Sequence, residues 1–134
     1  MVVCADIGYE WGGNIYMIRI ATKQAKSSTY YFRLGAVIVK GKRVLSTGHN
    51  SISHCRVNNF KNSRHAEMDA ILKLLDKKEG LSSLAGSTLY VSRITKQGTG
   101  LAKPCKKCMN LALSVGVKEI VYTTDNNTTE RIKL

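Results

Sequence analysis

The clearest periodic pattern in the chain lies in residues 65–79. Five apolar positions recur there at helical spacing: Ala66, Ala70, Ile71, Leu74 and Leu75. Asp69 and Lys73 form a favourable charged pair one helical turn apart, and Gly80 is a residue type that often ends helices. The pattern therefore predicts an amphipathic helix over residues 65–79 that directs one face at a core.

A second, weaker helical pattern occupies residues 14–26. Its apolar positions are Met17, Ile18, Ala21 and Ala25. Asn14 is a residue type favoured at helix N-caps, so we expect this helix to begin there. Residues 1–13 mix glycines with apolar residues and show no period, and we expect them to form an irregular arm.

Short apolar runs predict the first strands. Residues 36–39 are continuously apolar, residues 40–42 supply a glycine-containing turn, and residues 43–48 resume an extended pattern. This order predicts a hairpin at the start of a sheet. The polar residues 50–63 show no regular period and are predicted to form a loop that leads to His65.

The second half of the chain alternates strand, helix and strand. Residues 89–94 have the composition of a buried strand, residues 105–115 have a helical pattern closed by Gly116, and residues 117–123 form another apolar run. A strand, a helix and a strand of these lengths predict a parallel βαβ crossover, which is right-handed in nearly all proteins.

The end of the chain limits how the sheet can finish. Residues 124–134 are too few for another parallel crossover, which needs a dozen residues or more. Residues 130–134 would therefore form a short tail or an antiparallel edge strand. The whole pattern predicts one α/β domain over residues 1–134, with a mixed sheet of about five strands between layers of helices.

Charge and composition narrow the classes of partner. The formal net charge of +12 favours anionic partners, which include nucleotides, nucleic acids and acidic membrane surfaces. No apolar run approaches the roughly 20 residues of a spanning helix, and the N-terminus lacks a basic segment followed by an apolar one. We therefore expect a soluble, cytoplasmic protein without a membrane partner. Cys4 and Cys55 are predicted to be free thiols.

The remaining two cysteines and one histidine have the chemistry of a zinc site. His65, Cys105 and Cys108 are ligand types that zinc favours, and three protein ligands leave a fourth position for water. Cys105 and Cys108 would share one face of a helix that begins after Pro104. On a helix, the side chain of Glu67 would point away from that of His65. Both residues can therefore serve one site only if that site lies beyond the first turn of the helix. We predict two helix N-termini that converge on one metal ion.

The motifs H-A-E at residues 65–67 and P-C-K-K-C at residues 104–108 resemble the signature of the zinc-dependent cytidine and deoxycytidylate deaminase superfamily. The segments around them resemble that family in order over residues 14–123. The resemblance implies a three-layer cytidine-deaminase-like fold and a hydrolase that removes an amino group. It also implies one catalytic Zn²⁺ and assembly into homo-oligomers.

The resemblance further implies roles for particular residues. Glu67 would shuttle protons while a zinc-bound hydroxide attacks C4 of cytosine. Asn50 would contact the substrate's sugar, and the backbone of Ala66 would lie beside the exocyclic amine. Residues 93–103 form a longer insertion than in most relatives, and their glycines predict a mobile loop at the mouth of the pocket. The cations of this loop are Arg93, Lys96 and Lys103, and they either contact substrate phosphate or polynucleotide or are solvated.

Two further groups have a functional and an ordinary interpretation. A second, structural metal could use His49, His54 and Cys55, but their spacing does not supply four ligands, so ordinary loop residues are favoured. Residues 30–32 are all aromatic and could stack a base. Packing of the first helix onto the sheet is the commoner fate of aromatics next to a buried strand, and it is favoured here.

The leading functional interpretation is an enzyme that converts cytosine to uracil in a free nucleotide or nucleoside. The phosphate state and the sugar stay open at this point. The alternative is a deaminase of polynucleotides, acting on cytosine in single-stranded DNA or RNA or on adenosine in tRNA, with the positive charge binding the backbone. A third class is a zinc-stabilised nucleic-acid-binding module without catalysis, but such a module would have no use for Glu67.

Overall fold

The computed structural model describes residues 8–28, 32–52, 63–78 and 80–134. Cys4, Tyr30, Tyr31, His54 and Cys55, whose roles are considered above, lie outside these residues. The helices are α1 (Gly8–Ala25), α2 (Ala66–Leu75), α3 (Gly80–Leu84) and α4 (Lys106–Ser114), with a 3-10 turn at Asp125–Asn127. None of the described helices is both long and apolar enough to cross a bilayer.

The strands form one mixed sheet and one small pair. The sheet consists of β1 (Arg33–Lys40), β2 (Arg43–His49), β5 (Thr88–Thr95), β6 (Gly98–Gly100), β7 (Glu119–Thr123) and β8 (Thr129–Lys133). Its order is β2-β1-β5-β7-β8, with β6 paired to β5. The separate pair is β3 (Ser51–Ile52) with β4 (Ser63–Arg64), inside the segment predicted to be a loop.

The direction of each strand follows from its connection. β1 and β2 form the predicted antiparallel hairpin. β5 and β7 are paired in parallel, and α4 lies between them along the chain. β8 runs antiparallel to β7, as the shortness of the tail requires. The predicted mixed sheet and βαβ unit are therefore confirmed.

The helices cover both faces of the sheet and make three layers. Ala36 and Ile38 of β1 face the larger core, which α2 and α4 cover. Val37 and Val39 point to the other face, where they pack against Met17 and other residues of α1. Successive strand residues therefore contribute to opposite cores, as the pleat of a strand requires.

Two helix boundaries differ from the predictions. α1 begins at Gly8 instead of Asn14, so the arm predicted over residues 1–13 is wrong from Gly8 onwards. A glycine costs only about 1 kcal/mol in a helix, and elongation is easier than nucleation once the later turns pack on the sheet. α2 ends at Leu75, and Gly80 begins α3 instead of closing α2. A side chain at Gly80 would overlap the carbonyl oxygen of Leu74, so the glycine allows the chain to fold back closely.

The insertion over residues 93–103 is also more ordered than predicted. β5 continues to Thr95 and turns into β6, so the expected mobile loop is largely a β-hairpin. Thr99 donates its backbone N–H to the Asn127 side chain (3.2 Å) and its hydroxyl to the Thr124 carbonyl (2.8 Å). These bonds join segments distant in sequence, so no local pattern could show them.

Candidate active site

The candidate site lies where the N-termini of α2 and α4 meet. His65 is the N-cap of α2 and Cys105 is the N-cap of α4, and both have extended backbone angles. Their side chains therefore leave the chain before the helical turns begin. Cys108 lies in the first turn of α4, where it is fully buried. This arrangement removes the conflict between His65 and Glu67, because only Glu67 belongs to the helix.

The structure brings three metal-binding side chains together. The Nδ1 atom of His65 lies 3.2 Å from the sulfur of Cys108 and 3.6 Å from that of Cys105. All three donor atoms lie within 4.8 Å of one another. Ligands of a tetrahedral zinc ion, with bonds of 2.0 to 2.3 Å, are separated by about 3.5–3.8 Å. The three residues therefore fit one zinc ion in both chemistry and spacing.

Glu67 lies next to this cluster and is almost completely shielded from solvent. Its side chain is 4% exposed. Burial raises the pKa of the Glu67 carboxyl, while its own backbone N–H, His65 and the Cys108 thiol act in the opposite direction. A carboxyl group in this position can accept or donate a proton beside the metal-binding cluster without being a member of it.

The surroundings of Cys108 by themselves oppose ionisation of its thiol. Burial raises the pKa of the Cys108 thiol, and the nearby Glu67 and Cys105 raise it further. The thiolate is the form that binds a metal, so the protein environment alone disfavours the ligating form. A bound divalent cation opposes this penalty, because it is the largest local charge in such a site.

A cavity of about 290 Å³ opens in front of the cluster. Its lining includes five residues for which the sequence resemblance implies a role at the site: Asn50, His65, Ala66, Glu67 and Cys105. Cys108 is not among the lining residues and lies fully buried. The predicted site residues therefore come from the end of β2 and from two helix N-termini, and they surround one space.

Asn50 has a structural function that the sequence did not show. Its side-chain oxygen accepts a hydrogen bond from the Leu34 N–H (2.9 Å), and its side-chain nitrogen donates to the Phe32 carbonyl. The hydroxyl of Ser28 donates to the backbone carbonyl of Asn50 (2.9 Å). An amide side chain has a second hydrogen and a second lone pair, so Asn50 retains one donor and one acceptor for a ligand.

The cavity lining also includes Phe32 and Lys103, which the sequence offered as a base-stacking aromatic and as a loop cation, and Leu34, which sequence reasoning missed. Phe32 is 55% exposed and forms part of the cavity wall, so the prediction that it packs α1 onto the sheet is wrong. Arg93 does not line the cavity, but its guanidinium lies over the Phe32 ring, 4.7 Å from the ring centre. Arg93 thus contacts a residue of the cavity wall without lining the cavity itself.

A larger cavity, of about 1020 Å³, lies between α1 and the segment around Asn127. Its charged lining residues are Arg19, Lys23 and Lys26, and the described residues give it no carboxylate, thiol or imidazole. It is therefore larger than the cavity at the cluster but has no group for metal binding or proton transfer. The chemistry places the candidate active site in the smaller cavity.

Comparison with known sequences identifies relatives along most of the chain. Residues 13–124 match the protein family described as the cytidine and deoxycytidylate deaminase zinc-binding region. A deoxycytidylate deaminase of Mycobacterium phage D29 is 30% identical over 83% of this chain and 94% of its own length. A deoxycytidylate deaminase of Schizosaccharomyces pombe is 29% identical over 84% of this chain, which spans only 37% of that relative.

Solved structures with the same fold include enzymes with different named substrates. The dCMP deaminase of the cyanophage S-TIM5, in apo form, matches with a TM-score of 0.66 and 24% identity, over 85% of this chain and 84% of its own. A cytidine deaminase from Burkholderia pseudomallei matches with a TM-score of 0.67 and 18% identity, over 89% of this chain and 91% of its own. These likenesses confirm the predicted cytidine-deaminase-like fold.

Proposed function

Because the chain belongs to the cytidine and deoxycytidylate deaminase family, and is therefore a hydrolytic deaminase, we propose that it acts on cytosine in a free nucleotide, with deoxycytidylate as the first candidate. The observation that carries this proposal is the cluster of His65, Cys105 and Cys108, with buried Glu67 beside it, next to a small cavity. The named activity of the two curated relatives supports deoxycytidylate over other nucleotides.

His65, Cys105 and Cys108 would hold the zinc ion of the family. Bound zinc would supply Lewis-acid chemistry, which lowers the pKa of a water molecule towards neutrality. The N-termini of α2 and α4 both point at the cluster, and their partial positive charge favours the thiolate form of the cysteines. The two helices therefore help to position the ligands, and their partial charge offsets part of the penalty that burial places on the Cys108 thiolate.

Glu67 would carry protons during the reaction. Hydrolytic deamination requires a proton to leave the attacking water, to reach the ring nitrogen and finally to reach the departing ammonia. The Glu67 carboxyl lies beside the cluster, and its shielding from bulk water limits exchange of the transferred proton. The backbone of Ala66 and the free hydrogen-bonding capacity of Asn50 would orient the base and the sugar.

The size of the cavity supports a single nucleotide as the ligand. A volume of about 290 Å³ is at the lower end of small-molecule sites, which range from about 300 to 1,000 Å³. A pyrimidine ring and its sugar are ligands of that class. A polynucleotide would need contacts beyond the cavity, for which the net charge of +12 is the only general attraction in the sequence.

The decisive experiment is a substrate panel with zinc-loaded protein. Ammonia release is measured for cytidine, deoxycytidine, CMP, dCMP and a cytosine-containing single-stranded oligonucleotide, each at two salt concentrations. We expect the highest kcat/KM for dCMP. Deamination of the oligonucleotide alone, with a steep loss at high salt, would replace the proposal by the polynucleotide alternative.

A further inference from the structure

We propose that Lys103 recognises the phosphate of the substrate and makes this chain select nucleotides over nucleosides. This inference rests on the proposed function, because it assigns the substrate class of the same site. It begins from the position of Lys103 in the cavity lining, which selects this lysine from the loop cations that the sequence offered as phosphate contacts.

The backbone on both sides of Lys103 is fixed while its side chain is free to reach a ligand. Ala102 and Pro104 are buried, whereas Lys103 and Cys105 are exposed. The backbone N–H of Ala102 donates to the carbonyl of Thr123 (2.9 Å). This alternation places Lys103 and Cys105 on the same side of the segment, which is the side that lines the cavity. The lysine is therefore held next to a residue of the metal-binding cluster.

The residues that line the cavity differ in exposure. Glu67 is buried, whereas Phe32, Lys103 and Cys105 are exposed. Deamination places the amino group of the base beside Glu67 and the cluster, so the rest of the nucleotide extends away from Glu67 towards the exposed lining residues. The phosphate, which is attached to the far side of the sugar, would then lie among the exposed lining residues.

Lys103 is the only lysine or arginine among the described residues that line the cavity. Arg93, the nearest alternative in the sequence analysis, has its guanidinium over the ring of Phe32. Arg33 donates from its guanidinium to the carbonyl of Lys26 (2.6 Å), outside the cavity. A phosphate in the cavity would thus meet one flexible ammonium group, which binds phosphate as a compact point charge.

The test compares Lys103→Gln and Lys103→Arg with the wild-type protein. The matched control is Lys42→Gln, which removes the same charge from the exposed turn between β1 and β2. Each zinc-loaded protein is assayed for kcat and KM with dCMP and with deoxycytidine. Equilibrium binding of dUMP and deoxyuridine is measured in parallel by calorimetry, and thermal unfolding verifies that each variant is folded.

We expect Lys103→Gln to raise KM for dCMP about ten-fold and to weaken dUMP binding by a similar factor, since an exposed charge-assisted bond is lost. The constants for deoxycytidine and deoxyuridine should change far less, so the preference for the nucleotide falls about ten-fold. Lys103→Arg should restore most of the preference because it retains the charge, and Lys42→Gln should retain the wild-type preference.

Two outcomes separate failure of this inference from failure of the proposed function. If Lys103→Gln has the wild-type ratio of dCMP to deoxycytidine activity and the wild-type ratio of dUMP to deoxyuridine affinity, the role of Lys103 is wrong although the enzyme is a nucleotide deaminase. If the wild-type protein deaminates neither substrate, the proposed function is wrong. In that case the ratio of dUMP to deoxyuridine affinity in the two Lys103 variants still decides whether Lys103 recognises phosphate.

Discussion

The two faces of the sheet are packed in the same way, but only one carries chemistry. On one face α1 lies against β1 at Gly35, where a side chain would overlap the backbone of Ala21 and Ala25. On the other face α2 lies against β2 at Gly48, where a Cβ atom would lie 2.6 Å from the Ala70 nitrogen and 2.7 Å from the Ala66 oxygen. In both places a strand glycine opposite small helical residues brings the backbones unusually close.

The difference lies in which part of each helix approaches the sheet. α1 contacts Gly35 with residues in its second half, so the close approach stabilises the packing but presents no helix end. α2 contacts Gly48 with its first turn, at Ala66, which lies between His65 and Glu67, and at Ala70. The same packing device therefore fixes a helix N-terminus only on the face of α2. We expect substitutions on the two faces to separate effects on turnover from effects on stability.

The largest effect is expected from Cys108→Ser. A serine hydroxyl is a poor zinc ligand, and Cys108 is the fully buried member of the cluster, so we expect loss of stoichiometric zinc and of all measurable turnover. Zinc content by mass spectrometry and ammonia release check this result. Cys55→Ser serves as the control, because the sequence assigns Cys55 no metal. Full zinc content in Cys108→Ser would show that the ion is held elsewhere.

Glu67→Gln should have the next largest effect and leave the metal in place. The substitution preserves shape but removes the group that accepts a proton, so we expect kcat to fall by about 10²–10⁴. Zinc content should remain that of the wild type, because Glu67 is not one of the three clustered ligands. Unchanged turnover would remove Glu67 from the mechanism, and loss of zinc would make it a ligand instead of a proton carrier.

Gly48→Ala and Gly35→Ala compare the two faces directly. Each added methyl group meets helix backbone that cannot move without shifting the helix, so we expect each to lower the free energy of unfolding by about 1–3 kcal/mol. Gly48→Ala should also lower kcat, since small displacements of catalytic groups can cost up to about 10²-fold. Urea denaturation and assays of the folded proteins measure both effects. If Gly48→Ala and Gly35→Ala had the same kcat relative to the wild-type protein, the proposed distinction between the two faces would be wrong.

The sequence was sufficient for the metal-binding cluster because its residues lie in two short motifs. His65 and Glu67 are separated by one residue, and Cys105 and Cys108 by two, so local geometry already limits where their side chains can point. The βαβ unit was equally accessible, because hydrophobic period and segment length are local properties. The start of α1 at Gly8 could not be predicted from the sequence, because packing on the sheet outweighed the poor helix propensity of its glycines.

The walls of the cavity could not be predicted in the same way. Phe32, Asn50 and Lys103 come from three separate segments, and nothing within any one segment indicates that they share a space. The sequence offered Lys103 as one of three loop cations at the mouth of the pocket, but it could not select among them, because most exposed lysines and arginines are simply solvated. The position of Arg93 over Phe32 likewise depends on a contact between two separate segments of the chain.

The hydrogen bonds of Asn50 have a consequence for the thermodynamics of ligand capture. Its side-chain amide is already held by the backbone of Phe32 and Leu34, so its orientation is set before any ligand arrives. Immobilising a freely rotating side chain on association costs about 0.5–1.5 kcal/mol. A nucleotide that hydrogen-bonds to Asn50 would avoid this entropic penalty. The side chain of Asn50 would lose its rotational freedom once, during folding, instead of at each binding event.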